Sequence, residues 1–121
     1  MATFRIERIN KEMLREISEI LQRRIKDESV KKAILTGVEC SRDLSYAKIY
    51  FMLLDSSEKE EVSQALTNVA GKIRGMLGKM MRLRHIPELH FFYDHSEERA
   101  RQIDALLDRI AGKNGGGESR A

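Results

Sequence analysis

Few residues in this chain cross-link, interrupt or ligate. It has one cysteine, one proline and three histidines among 121 residues. The lone Cys40 can form no internal disulfide, which agrees with a reducing cytoplasm. No activating pattern surrounds it, so it reads as a small buried hydrophobe. No apolar run approaches the length of a membrane span. The opening MATFRIERIN mixes charges of both signs where a signal peptide would have an apolar core, so neither export nor membrane insertion is expected. His85, His90 and His95 are spaced five apart, which brings no two together on a helix or on one face of a strand. There is no H-x-x-x-H, no cysteine cluster, no acidic set at metal-ligand spacing and no P-loop. Ser41, Asp43 and Ser45 read as turn formers rather than as a catalytic set. The chain therefore reads as a non-enzyme, with no catalytic residues, no cofactor and no metal site.

The remaining absence is local. After Glu61 no acid appears until Glu88, and that window holds Lys72, Arg74, Lys79, Arg82 and Arg84. Negative charge is concentrated in Asp55–Glu61 and after residue 94, so the formal net charge of +3 hides an uneven distribution. With 41% hydrophobic and 34% charged residues, the chain suits one globular domain with a core of its own. That domain is expected over residues 1–111, and GKNGGGESRA, residues 112–121, reads as a flexible tail.

Periodicity gives the elements. Ile6, Ile9, Met13, Ile17, Ile20 and Leu21 recur at three- and four-residue steps, which predicts a helix over 5–25. The stretch 33–40 is richer in β-branched residues and reads as a strand; SRDLS follows as a turn. Ala47, Ile49, Phe51 and Leu53 then alternate with Tyr46, Lys48, Tyr50 and Met52, giving a second strand paired with the first as a hairpin. DSSEKEE opens a helix through Val62, Leu66 and Val69, and the helical period continues to about Leu83. Pro87 closes it, ELHFFY is a third strand, and Asp94 or Ser96 caps a last helix with Ala100, Ile103, Leu106, Leu107 and Ile110 inward. The class is α+β, a small sheet covered by helices.

The stretch GKIRGMLGKMMRLRHIPEL carries three glycines at helical spacing. Each costs about 1 kcal/mol relative to alanine in a helix, in a domain stable by about 5–15 kcal/mol. On a helical wheel, Ile73, Met76, Leu77, Met80, Met81 and Leu83 fill one arc. Gly71, Gly75 and Gly78 fall on the other with Lys72, Arg74, Lys79 and Arg82, while Arg84 at the helix end lands on the apolar side. A side-chain-free stripe lets another backbone approach closely, and a stripe ringed by cations suits a phosphodiester backbone. Close packing against another protein element, within the chain or on an adaptor's partner, is the alternative. The GMLG at Gly75–Gly78 spells the phosphate-clamping G-x-x-G of KH domains, but its Met76 and Leu77 are apolar and it is not counted as that motif.

Three stretches resemble ribosome-binding factor A, a family of bacterial ribosome-assembly proteins: RIERINKEMLREISEILQRRIKDES, VECSRDLSYAKIYF and GKIRGMLGKMMRLRHIPELHFFYDHS. The resemblance runs from about Arg5 to Ile110. It implies a KH-like fold of the second type: helix, strand, strand, helix, kink, helix, strand, plus here a C-terminal helix. In the family an Ala-x-Gly kink replaces the G-x-x-G loop. The matching positions here read Val69-Ala70-Gly71, with the glycine kept and a valine in the first place. The resemblance further implies a cytoplasmic, monomeric protein that binds 16S rRNA and pre-rRNA in free 30S subunits, not 50S or 70S particles. It implies a part in late maturation, including processing of the 16S rRNA 5′ end. On that reading the RNA-contacting residues are Arg5, Arg8 and Arg15 of the first helix with Gly71, Lys72, Arg74, Gly75, Gly78, Lys79, Arg82 and Arg84.

Overall fold

The computed structural model describes residues 2–96 and, beyond them, Arg101, Asp104, Ala105, Asp108 and Arg109, which are helical. The apolar positions assigned to a C-terminal helix, Ala100, Ile103, Leu106, Leu107 and Ile110, and the tail 112–121 lie outside the described residues. The order is α1 (Ala2–Arg23), β1 (Ile34–Cys40), β2 (Tyr46–Met52), α2 (Lys59–Met80) and β3 (Glu88–Tyr93). Short 3-10 turns at Glu28–Lys32 and Ser56–Glu58 lead into β1 and α2, with Asp27 and Asp55 capping them through the Ser29 and Ser57 amides.

The α1 periodicity does what the spacing predicts: Ile9, Met13, Ile17, Ile20 and Leu21 are buried. Asn10, beside this stripe, accepts the Cys40 amide at 2.9 Å, pinning α1 to β1. In β2 the alternation sends Ala47, Ile49 and Phe51 into the core, with β3 adding Leu89. Val62, Leu66, Ile73 and Leu77 of α2 close over them, and α1 and α2 touch side by side on this face.

The strand order is β1-β2-β3, with β1 antiparallel and β3 parallel to β2. A parallel partner cannot be reached through a tight turn, and α2 provides the crossover from β2 to β3. A register shift between Leu35 and Gly37 leaves Thr36 unpaired, and its hydroxyl donates to Asp94 at 2.7 Å, just past the end of β3.

One expectation needs correction. The helix ends at Met80, short of Leu83 and seven residues before Pro87. Met81 turns extended (φ −114°, ψ 142°) while its amide still reaches the Leu77 carbonyl at 2.8 Å. Met81 stays buried as the chain changes direction, and Pro87 instead sits fully buried at the entry to β3. The backbone about Val69-Ala70-Gly71 stays helical, so the two helical halves expected on either side of it lie within one element, α2. The α+β class and the strand arrangement are as the sequence predicts.

The turn at 41–45 carries the strain of the hairpin. Leu44 has a left-handed φ of 59°, a conformation that costs a non-glycine residue roughly 1–3 kcal/mol, and its side chain is nonetheless buried. Hydrogen bonds hold it there. The Ser41 hydroxyl accepts the Ser45 and Tyr46 amides, and Asp43 Oδ1 accepts the Ser45 amide at 3.0 Å and the Ser41 hydroxyl at 2.8 Å. These residues are turn formers, as read. Hydrogen bonds from Ser45 and Ser41 hold the Asp43 carboxyl below the ordinary carboxylate range, and those from Ser57 do the same to Asp55. A carboxyl whose folded value is depressed stabilises the fold above its unfolded value and loses that contribution as pH falls through the folded one. Asp43→Asn keeps an acceptor oxygen and removes the titration. The urea midpoint of the variant should therefore fall less than that of the wild type between neutral pH and the acid side of the carboxylate range. Parallel curves would show that ionisation of the turn contributes nothing.

Candidate nucleic-acid interface

The buried stripe of α2, set at three- and four-residue steps by Ile73 and Leu77, rotates Gly71, Lys72, Arg74, Gly75, Gly78 and Lys79 outward, and all six are exposed. At about 100° per residue, Gly71 and Gly75 point most directly away from the core. Lys72 and Lys79 lie along one flank of that line, with Arg74 and Gly78 along the other. After Met81 the chain doubles back along the second flank as a loop in which Arg82, Arg84 and His85 are exposed.

The glycines differ in what covers them. A methyl group at Gly71 or Gly75 would meet nothing within 4 Å. At Gly78 it would lie 3.8 Å from Ile86 Cγ1, an ordinary contact with the returning loop. Gly78 alone thus has a protein neighbour, and even there a methyl group would fit. Among the described residues nothing approaches the other two, so the fold gives no internal reason for them to lack a side chain.

Arg74 is exposed, as expected of a phosphate ligand, but its guanidinium is engaged. Nε donates to the Pro87 carbonyl at 2.9 Å and Nη2 to the Ile86 carbonyl at 2.6 Å. No periodicity marks such a contact, since the acceptors are backbone groups and carry no residue-type signature. Lys72, Lys79, Arg82 and Arg84 make no ion pair among the described residues, in keeping with the acid-free stretch around them.

The basic residues of α1 are arranged less favourably. Arg5, Arg8 and Arg15 are all exposed on a helix lying against α2. Glu7, Glu12, Glu16 and Glu19 are interspersed with them, and Arg15 Nη2 sits 3.8 Å from the Glu16 carboxylate. The outer surface of α1 is therefore mixed in sign, and the one-signed surface belongs to the second half of α2 and its loop. The acids cluster elsewhere: Glu58 at the start of α2 holds Lys32 at 2.8 Å, and Glu61 accepts the Ser29 hydroxyl at 3.1 Å.

The sheet face away from the helices offers a second, different surface. Tyr46, Lys48, His90 and Phe92 line a shallow depression of about 320 Å³, with Tyr46 41% and Phe92 45% exposed. Glu88 lies 3.2 Å from His90 Nε2, and Glu39 accepts from the Tyr50 hydroxyl at 3.4 Å. Those carboxylates leave this face without the cationic surplus that a polyanion requires. Among the described residues no group of three or more histidine, cysteine or acidic side chains is placed to hold a metal ion. Cys40 is half-buried at the edge of the core rather than within it; that burial pushes its thiol up to about 11, so it stays protonated at neutral pH. No helix among the described residues is long and apolar enough to cross a membrane.

A family model described as Ribosome-binding factor A matches residues 5–107. A relative of that name from Pseudomonas paraeruginosa is 38% identical over 113 residues, covering 91% of this chain and 88% of the relative. Another, from Acetivibrio thermocellus, is 41% identical over 114 residues and covers 93% of each. The crystal structure of ribosome-binding factor A from Thermus thermophilus superposes with a TM-score of 0.67 at 22% identity, covering 73% of this chain and 93% of that one. That last similarity supports the fold.

Proposed function

The chain belongs to the ribosome-binding factor A family, and from that premise we propose that it is a non-catalytic ribosome-assembly factor that holds rRNA of the free small subunit. The names of its relatives supply the ribosome as partner. The observation that carries the reading to RNA is the exposed, acid-free face of α2 and its loop, where Lys72, Lys79, Arg82 and Arg84 flank two uncovered glycines. Cations on both sides of a side-chain-free line suit a phosphodiester backbone lying along it. Arg5, Arg8 and Arg15 extend the contact onto α1, and Arg74 and Gly78 shape its loop flank.

Phosphate contacts position a protein without reading sequence, so specificity comes from the shape of a folded rRNA junction. Binding energy then does the work: the factor favours one rRNA conformation and leaves when maturation removes the differential contacts. On this reading the protein acts as a cytoplasmic monomer late in 30S maturation, including processing of the 16S rRNA 5′ end, and does not bind 50S or 70S particles. Domain limits of 1–111 with a separate tail at 112–121 belong to the same proposal.

The test is binding of the purified protein to free small subunits, large subunits and joined ribosomes across a salt series. Binding confined to free small subunits, and weakening steeply with salt, is the expected result. Equal binding to all three particles would reduce the basic face to generic attraction for RNA. Salt-insensitive binding would replace the RNA contact with a protein partner.

A further inference from the structure

Arg74 has a task that its charge alone does not describe. The loop from Arg82 to Ile86 carries three exposed basic or titratable side chains, Arg82, Arg84 and His85, between two buried anchors, Met81 and Pro87. Its backbone is tied to the helix at one place among the described residues, where Arg74 donates to the consecutive carbonyls of Ile86 and Pro87 at 2.6 and 2.9 Å. One helical turn further along the same flank, Ile86 rests against Gly78. Clamp and contact together lay the loop along α2, so its arginines face the same visitor as Lys72 and Lys79.

We propose that Arg74 is a positioning residue, whose guanidinium sets where Arg82 and Arg84 meet phosphate rather than meeting it itself; this rests on the function proposed above. The Nε–Nη2 edge, one of the two that can grip a phosphate with parallel hydrogen bonds, is occupied here by the protein's own carbonyls, which fixes the plane and reach of the whole group. Lysine cannot stand in for it. An ammonium keeps the charge but is a point donor, and it cannot span two successive carbonyls as the planar fork does.

The test uses the full chain and purified free small ribosomal subunits. Arg74→Lys should bind about tenfold more weakly than wild type although the net charge is unchanged. In an Arg82→Ala, Arg84→Ala background the same substitution should have no further effect, because the loop then has no arginines left to place. An equal loss in both backgrounds would overturn the proposal and return Arg74 to direct phosphate contact. Amide exchange in the free protein gives a second readout: residues 82–86 should exchange faster in Arg74→Lys, and unchanged exchange would also overturn the proposal. Should wild type itself fail to bind small subunits, the functional reading falls, while the exchange measurement still decides what holds the loop.

Discussion

Replacing Lys79 and Arg82 together by alanine is expected to weaken binding to free small subunits on the order of 50-fold near 0.1 M salt. The logarithmic salt slope should become shallower by about two. Each phosphate neutralised by a protein cation releases condensed counterion, worth close to one power of ten in affinity at that ionic strength. Both side chains are exposed and neither makes a hydrogen bond or ion pair among the described residues, so little stability should be lost. Unfolding should stay within about 0.5 kcal/mol of wild type. Lys48→Ala is the control, because Lys48 lies on the sheet face opposite the helices, beside Tyr46 and Phe92. It removes a charge without removing a contact. An equal loss per charge in the control would mean that net charge, rather than this face, attracts the RNA. Unchanged affinity and slope in the double variant would remove α2 and its loop from the mechanism.

Those two residues could be chosen from the sequence, but their neighbours could not all be understood from it. Helical periodicity identified the exposed flank because burial follows a 3.6-residue period, and Ile73 and Leu77 are buried as the wheel requires. It overran the helix end because Met80, Met81 and Leu83 continue an apolar pattern after the backbone has turned. Met81 remains buried by a change of chain direction, which hydrophobicity does not record. The unpaired Thr36 was hidden for a similar reason, since the bulge is defined by its partner strand and by Asp94, 58 positions away in sequence. Nor does anything mark Leu44 as left-handed; leucine is a poor residue for that region, and three neighbouring hydrogen-bonding groups force it.

The resemblance to ribosome-binding factor A carried the topology further than periodicity could. It supplied the KH-like order and pointed to Gly71, but as a break between helices. In this fold Gly71 is an exposed residue inside one continuous helix. A helix can bend without losing its helical backbone, so stability data on Gly71 and Gly75 can separate a backbone role from a contact role.

Gly71→Ala and Gly75→Ala combined should raise stability and lower affinity at once. Alanine is favoured over glycine in a helix interior by about 0.8–1 kcal/mol, and neither new methyl group would meet an atom within 4 Å. The pair should therefore gain about 1.5–2 kcal/mol, read as a higher urea midpoint with an unchanged slope. Binding to free small subunits should fall at least tenfold, because two Cβ atoms would stand where a phosphodiester backbone approaches and hold Lys72 and Lys79 away from it. The salt slope separates this from a lost charge: blocked approach weakens every contact along the line, whereas the alanine variant of Lys79 and Arg82 removes two. Gly78→Ala is the internal comparison, since Ile86 already lies beside that position at 3.8 Å, an ordinary contact, and it should stabilise by a similar amount per residue and leave binding nearly intact. A double variant that is more stable and binds as well as wild type would mean that nothing approaches the stripe, leaving the cations to act from the flanks alone. A double variant that is less stable would show that Gly71 is needed to bend α2, restoring the break that the family resemblance implies.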